Sequence, residues 1–316
     1  MGESLVSGAE ILAARSRIAA HVHHTPIHGS SSLSAHLGKN VHFKAELFQR
    51  TGSFKIRGVL NCLAGLDRET LSRGLVSMSA GNHAAALACG AATYGAPATI
   101  VMPGRAVQSK IDATERYGGR VVRTDGDLME EVDRLQREEG LTLVHPFDDA
   151  RIVAGHGTIG FEILEDLPEV THVIVPVGGG GLISGIAAAI RSRRPEVKLY
   201  GVEPENADGM GQALAAGKPI SIGHPQTLAD GLAAPFAGEL NLRHVQRLVD
   251  DVVTVRDETI LEAMDWIVTR CKLACEPSGA AALAALLEDK IKLPPTAQVC
   301  CIVSGGNVDL SRLGTR

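Results

Sequence analysis

The sequence predicts an α/β fold of two domains, with parallel-rich twisted sheets flanked by helices and a cleft between the domains. Short β-branched runs alternate with Ala/Leu-rich segments of helical period almost from end to end, a pattern that belongs to βα units and parallel sheets. Glycine clusters follow two of the runs, at Gly178–Gly181 and Gly305-Gly306. From Leu75 to Pro146 the chain reads as a β-α-β-α-β-α series of its own, with Gly118-Gly119 before its third strand and His145-Pro146 at its close. Residues 75–146 are therefore expected to form a small mobile domain, and 1–74 with 147–316 a larger one.

Strands are expected at 41–44, 75–77, 98–101, 120–123, 173–177, 198–202 and 299–303. Helices are expected at 8–20, 54–66, 82–93, 109–117, 128–139, 157–167, 182–192, 258–271 and 278–288.

The 316 residues are 45% hydrophobic with a net charge of −5 and both signs scattered. No basic block or aromatic-interleaved basic stretch appears, so no nucleic-acid or anionic-membrane partner is expected and a small molecule is the better one. Charges among the first twenty residues break up any signal-peptide core. No apolar run approaches the roughly 20 residues of a membrane span, so the chain is read as cytoplasmic. The six cysteines, at 62, 89, 271, 275, 300 and 301, lack C-x-x-C spacing and read as buried thiols. His21, His23 and His24 have no acidic or Cys partner at ligand spacing and read as a polar helix end.

Four motifs carry chemistry. The run Val173–Val177 leads into Gly178, Gly179, Gly180 and Gly181 and then a helix from Leu182. Bare backbone N–H groups and the positive end of a helix dipole suit an anion there, which makes a phosphate cup. No G-x-x-x-x-G-K-[ST] occurs, and the one G-x-G-x-x-G window, Gly155–Gly160, has neither a full strand before it nor an acid about 20 residues on. A ligand with a single phosphate fits better than a dinucleotide. Lys55 stands at a helix start after Gly52-Ser53 and beside Phe54. Alone it reads as a surface lysine; beside a monophosphate cup it suggests an imine-forming amine. Ser79-Ala80-Gly81-Asn82-His83 follows another strand, with N–H groups suited to a substrate carboxylate and an Asn82 amide suited to a ring hydroxyl or to a helix cap. Ser304, at the end of the last strand, is either a turn residue or a partner for a pyridine nitrogen that it cannot protonate.

These elements, in this order, resemble the serine/threonine dehydratase and serine racemase family, pyridoxal-phosphate enzymes of fold type II. The resemblance runs from Thr25-Pro26 through Thr51–Arg57, Ser79–His83, His145–Phe147, Ala154–Thr158, Gly178–Gly181 and Glu276-Pro277 to Ser304–Asn307. It implies pyridoxal 5'-phosphate in the interdomain cleft. Lys55 would carry it, Phe54 pack on its ring, Asn82 bond its 3-hydroxyl, Gly178–Gly181 with Leu182 hold its phosphate, and Ser304 bond its nitrogen. Ser79 to His83 would grip the substrate carboxylate, Lys55 would remove the Cα proton, and the β-hydroxyl would leave with acid help from the phosphate. The implied activity is L-threonine/L-serine ammonia-lyase in a homodimer, with serine racemase or threo-3-hydroxyaspartate dehydratase as alternatives.

Three departures stand out. Racemases of the family carry a serine proton donor where this chain has Ala80, which favours dehydration. The family's divalent cation site (Mg or Ca) maps to Glu203, Ala207 and Gly209, where glycine lacks the carboxylate and Asp208 is the nearest substitute. The larger threonine dehydratases add a regulatory domain after the region that ends here near Ser304, so isoleucine feedback is not expected.

Overall fold

A computed structural model of the chain describes residues 4–308. The outermost parts of the expected larger domain, at 1–3 and 309–316, lie outside the described residues. The strands are β1 (Ile27–Gly29), β2 (Asn40–Ala45), β3 (Leu75–Met78), β4 (Ala98–Pro103), β5 (Arg120–Thr124), β6 (Thr142–Leu143), β7 (His172–Pro176), β8 (Lys198–Pro204), β9 (Asp251–Val255) and β10 (Gln298–Val303). The helices are α1 (Gly8–Ile18), α2 (Ser31–Leu37), α3 (Lys55–Ala64), α4 (Arg68–Arg73), α5 (Asn82–Tyr94), α6 (Gln108–Arg116), α7 (Leu128–Glu139), α8 (Ala150–Asp166), α9 (Gly181–Arg193), α10 (Gly209–Ala216), α11 (Glu239–Leu248), α12 (Asp257–Trp266) and α13 (Pro277–Leu287).

Six strands form one sheet in the order β1-β2-β10-β7-β8-β9, and four form a second in the order β5-β4-β3-β6. Every pairing is parallel except β1 with β2. In such sheets ligands gather beyond the carboxyl ends of the strands. Those ends of β10 and β7, which are neighbours, lead into Ser304 and Gly178–Gly181. The end of β3 leads to Ser79–Asn82.

All the predicted strands are present, and the three that were not predicted, β1, β6 and β9, lie at sheet edges. β1 and β6 are only three and two residues long, and β9, although β-branched from Val252 to Val255, is buried only at Val255. Helices α2, α4, α10 and α11 were also not predicted, the first two being only seven and six residues long. Helix α8 starts at Ala150, seven residues before the expected 157, capped by the Asp149 side chain on Arg151 N.

That longer helix explains the G-x-G-x-x-G window, which lies wholly inside α8. Its glycines serve helix contacts. A Cβ on Gly155 would stand 2.4 Å from Arg57 O in α3, and one on Gly185 in α9 would stand 2.3 Å from Val153 O in α8. Helix α8 is thus pressed between α3 and α9 at backbone-to-backbone distance, which only glycine allows.

A buried ion network locks α8 to α3 from another side. Arg57, fully buried, donates to Glu46 Oε1 and Oε2 at 2.8 Å each, and to Glu162 Oε1 and Oε2 at 2.6 and 2.9 Å. Lys44, also fully buried, adds Glu162 at 2.7 Å and the Thr25 carbonyl at 2.6 Å. Burial works against the Arg57 charge, but Glu46 and Glu162 outweigh it and raise the guanidinium above its ordinary pKa. Burial likewise disfavours the Glu162 anion, yet Arg57 and Lys44 hold its pKa below the usual value. The network ties β2, α3 and α8 together at the foot of the helix that begins with Lys55.

The four-stranded sheet shares its core with α3: Leu75, Leu87 and Ile100 pack with Ile56, Leu60 and Leu63, and with Ile18 of α1. Lys110 of α6 pairs with Asp230 at 2.5 Å. The six cysteines are free, and all but Cys271 are buried. Among the described residues no helix is long and apolar enough to cross a membrane.

Arg57→Met would leave Glu46 and Glu162 buried without their main partner, and is expected to cost about 3–5 kcal/mol of stability. Urea denaturation followed by circular dichroism checks this. A loss below about 1 kcal/mol, the scale of an exposed pair, would show that the network does not lock the junction.

Candidate active site

Four chain segments converge at the strand ends. Lys55 is the first residue of α3, and its Nζ donates to the carbonyl of Pro146 at 2.9 Å. The amine lies 5.1 Å from the centroid of the Phe54 ring. Burial lowers its pKa to about 8, which raises the fraction of neutral amine near physiological pH. Phe54 N donates to Ser304 O at 3.1 Å, and Ser53 bridges to Gly305. The turn before the lysine is therefore strapped to the turn after β10.

The tetraglycine loop occupies the start of α9, a thirteen-residue helix whose first N–H groups have no intrahelical acceptor. Gly180 sits at φ +93°, and a Cβ there would stand 2.6 Å from Met210 and 2.9 Å from Asn241. The protein behind the loop therefore leaves no room for a side chain at Gly180. Asn241, fully buried, donates to Gly179 O at 2.8 Å and to Phe147 O at 3.1 Å, bracing the loop from behind. Leu182 follows in the first turn of α9 and is buried.

Ser79–His83 runs from β3 into α5. Ser79 Oγ accepts from Gly81 N at 3.1 Å, and Ala80 presents only a methyl group. The His83 ring turns inward: Ser77 Oγ donates to Val144 O at 2.7 Å, so His83 Nε2, at 3.1 Å from Ser77 Oγ and 3.2 Å from Val144 O, carries the proton and donates. Burial, then the charge of Lys55, depress its pKa to about 3. The imidazole is a neutral anchor, and what His83 offers at the helix start is its backbone. Asn82 Nδ2 donates to Glu276 Oε1 at 2.6 Å, and its Oδ1 accepts from Asn307 Nδ2 at 2.8 Å. Ser304 Oγ makes one long bond, 3.4 Å, to Ser278 O.

Lys55, Phe54, the tetraglycine loop, Asn82 and Ser304 are therefore linked through a few direct contacts. Sequence reasoning missed the Pro146 carbonyl and Asn241, for which no local pattern gives a signal. Glu276 entered only as part of a motif, although proline after it marks a helix start. The constellation fits pyridoxal phosphate. It has an amine of lowered pKa beside an aromatic ring, a glycine-built helix N-terminus for one phosphate, and a buried hydroxyl at the neighbouring strand end.

A family model described as pyridoxal-phosphate dependent enzyme matches residues 18–305. The chain belongs to that family. Among its relatives, a serine racemase from Oryza sativa subsp. indica is 44% identical over 307 residues, covering 95% of this chain and 90% of the relative. An L-threonine ammonia-lyase from Thermotoga maritima is 43% identical over 296 residues, covering 92% and 73%. The structure of maize serine racemase superposes with a TM-score of 0.94 at 42% identity, covering 98% of this chain and 96% of that one.

The residues mapped to a divalent cation do not fit one. Both Glu203 oxygens accept backbone bonds, from Met210 N and Gly211 N at 2.8 Å each, so the carboxylate caps α10. Burial pushes it up to about 7 against the pull of those two bonds. Asp208 Oδ1 accepts from Gln212 at 2.7 Å, and Ala207 is buried. Among the described residues no group of three His, Cys, Asp or Glu side chains is placed to hold a metal. Calorimetric titration with Mg²⁺ or Ca²⁺ is expected to show no site tighter than about 1 mM, the weak end of calcium sites. Stoichiometric micromolar binding would contradict the assignment of Glu203 to the helix cap.

Proposed function

We propose that this enzyme is an ammonia-lyase that converts L-threonine, L-serine or both to the 2-oxo acid and ammonia, with Lys55 as the catalytic residue. Water lost in the elimination is regained on hydrolysis, so substrate and products balance. The observation that carries the reading is the Lys55 amine, lowered to about 8 and held on Pro146 O between the start of α5 and the start of α9. Pyridoxal phosphate, when bound, supplies an aldehyde to link to an amine and a conjugated ring that takes up the Cα electron pair.

In this reading Gly178–Gly181 and Leu182 hold the phosphate by backbone N–H groups at the α9 dipole. Phe54 would pack against the ring, Asn82 would donate to its 3-oxygen, and Ser304 would bond its nitrogen without protonating it. Ser79–His83 grips the substrate carboxylate with the N-terminal turn of α5, oriented by the His83 anchor. Lys55, once its amine is free, removes the Cα proton as general base. The segment 75–146 acts as a small domain closing over substrate to exclude water, and Lys110 with Asp230 meets across the mouth of the closed cleft.

Dehydration is preferred to racemisation because of Ala80. Racemisation needs a donor on the face of Cα away from Lys55; a methyl group supplies none, and the buried, neutral His83 has already committed its proton to Val144 and Ser77.

Lys55→Ala is expected to lower 2-oxo acid release from L-threonine and L-serine by at least about a hundredfold, the scale of a lost general base. It should also abolish the visible band of the lysine-bound cofactor. Retention of that band after gel filtration would place the cofactor linkage elsewhere.

Given L-serine, the wild-type enzyme is expected to form pyruvate with little D-serine, and Ala80→Ser to gain measurable D-serine. Chiral chromatography reads both. D-serine from the wild type at a rate comparable to pyruvate would make the racemase reading the correct one.

A further inference from the structure

A buried carboxylate that the mechanism does not use stands beside Asn82. Glu276 caps the start of α13, is 5% exposed, and its N donates to Gly305 O at 3.1 Å. A Cβ on Gly305 would come within 2.5 Å of its Oε1, so the carboxylate is clamped beneath that turn. Burying a carboxylate is costly, and here burial pushes its pKa up to about 7.

A primary amide is nearly symmetric in shape, and a half-turn about its last bond exchanges donor and acceptor. Asn82 could thus offer a ligand either its N–H or its carbonyl. Its neighbours remove the choice. Asn82 Nδ2 faces Glu276 Oε1 at 2.6 Å, the short length of a charge-assisted bond. Asn82 Oδ1 faces Asn307 Nδ2 at 2.8 Å, and the same Asn307 nitrogen donates to Thr51 O at 2.7 Å. A backbone carbonyl only accepts, so Thr51 fixes Asn307; an ionised carboxylate only accepts, so Glu276 fixes Asn82. A flipped Asn82 would set oxygen against carboxylate and amide against amide at once.

We infer that Glu276 is a positioning residue: through this relay it locks the Asn82 amide so that its second N–H, never its carbonyl, faces the ring oxygen of the cofactor. The inference rests on the reading of Asn82 as the partner of that oxygen. A carboxylate at 276 is then required by a hydrogen-bond polarity set two side chains away, four residues before Lys55. Glutamine replaces it only in part, since its uncharged amide can turn either its oxygen or a donor towards Asn82.

The experiment compares wild type, Glu276→Gln, Asn82→Ala and the double variant at pH 8, where Glu276 is ionised. The readouts are the visible absorption maximum of bound pyridoxal phosphate and its dissociation constant. Glu276→Gln should shift the maximum and weaken binding roughly 3- to 10-fold, the span of one hydrogen bond. In the Asn82→Ala background it should do neither, because a residue acting through Asn82 has nothing left to act on. Asn307→Ala, altered at the other end of the relay, should move the same band if Glu276→Gln does not fold. An unmoved band and affinity in both single variants at 276 and 307, or an equal effect with and without Asn82, overturns the inference while the lyase reading stands. A wild-type band that Asn82→Ala leaves unchanged removes Asn82 from the ring. No visible band in the wild type would sink the functional reading itself.

Discussion

The close approach of α8 to both α3 and α9 is the constraint on which the active site depends. Helices with ordinary side chains between them sit 8–10 Å apart; here backbone carbonyls stand where a Cβ would have to go, at Gly155 against Arg57 and at Gly185 against Val153. Because α3 begins with Lys55 and α9 begins with the last of the four glycines, the separation of these helices sets the separation of the Lys55 amine and the tetraglycine loop. Packing at this junction therefore bears on the candidate site through the placement of those two elements. The Arg57 network works on the same element from the other side. It fixes α3 along its axis through a planar fork whose geometry tolerates little displacement.

Much of this was legible in the sequence, and what was legible has a physical signature. Central strands such as β7 and β10 are buried on both faces and read as unbroken apolar runs, Val173–Val175 and Val299–Val303. The tetraglycine loop and the Gly52 turn before Lys55 stand out because positive φ and close approach of neighbouring groups need residues that few other contexts tolerate. The unread parts lack such signatures. Edge strands carry mixed faces, and a short helix like α4, capped by Asp67 and with no buried residue, shows no apolar periodicity. Helix α8 was started too late because glycines at 155, 157 and 160 look like punctuation in a sequence; in the fold they are the places where two other helices press in. The carbonyl of Pro146 and the side chain of Asn241 act through positions that only the folded chain creates.

Glu203 is a buried carboxylate with a structural partner. Both of its oxygens accept from the first N–H groups of α10, where a helix dipole supplies positive charge. The two bonds hold the start of α10 against the end of β8.

The seam around α3 and the Lys110–Asp230 contact are built from different forces. On the seam, α3 meets the four-stranded sheet and α5 through Ile56, Leu60, Leu63, Leu87 and Ile100, contacts that are non-directional and carry no charge to screen. The partly exposed pair Lys110–Asp230 joins α6 to a segment far along the chain, and its attraction fades as the Debye length shrinks from about 30 Å at 0.01 M to about 8 Å at physiological ionic strength. A rise in ionic strength therefore weakens the α6 contact by screening while α3 keeps its place against the sheet.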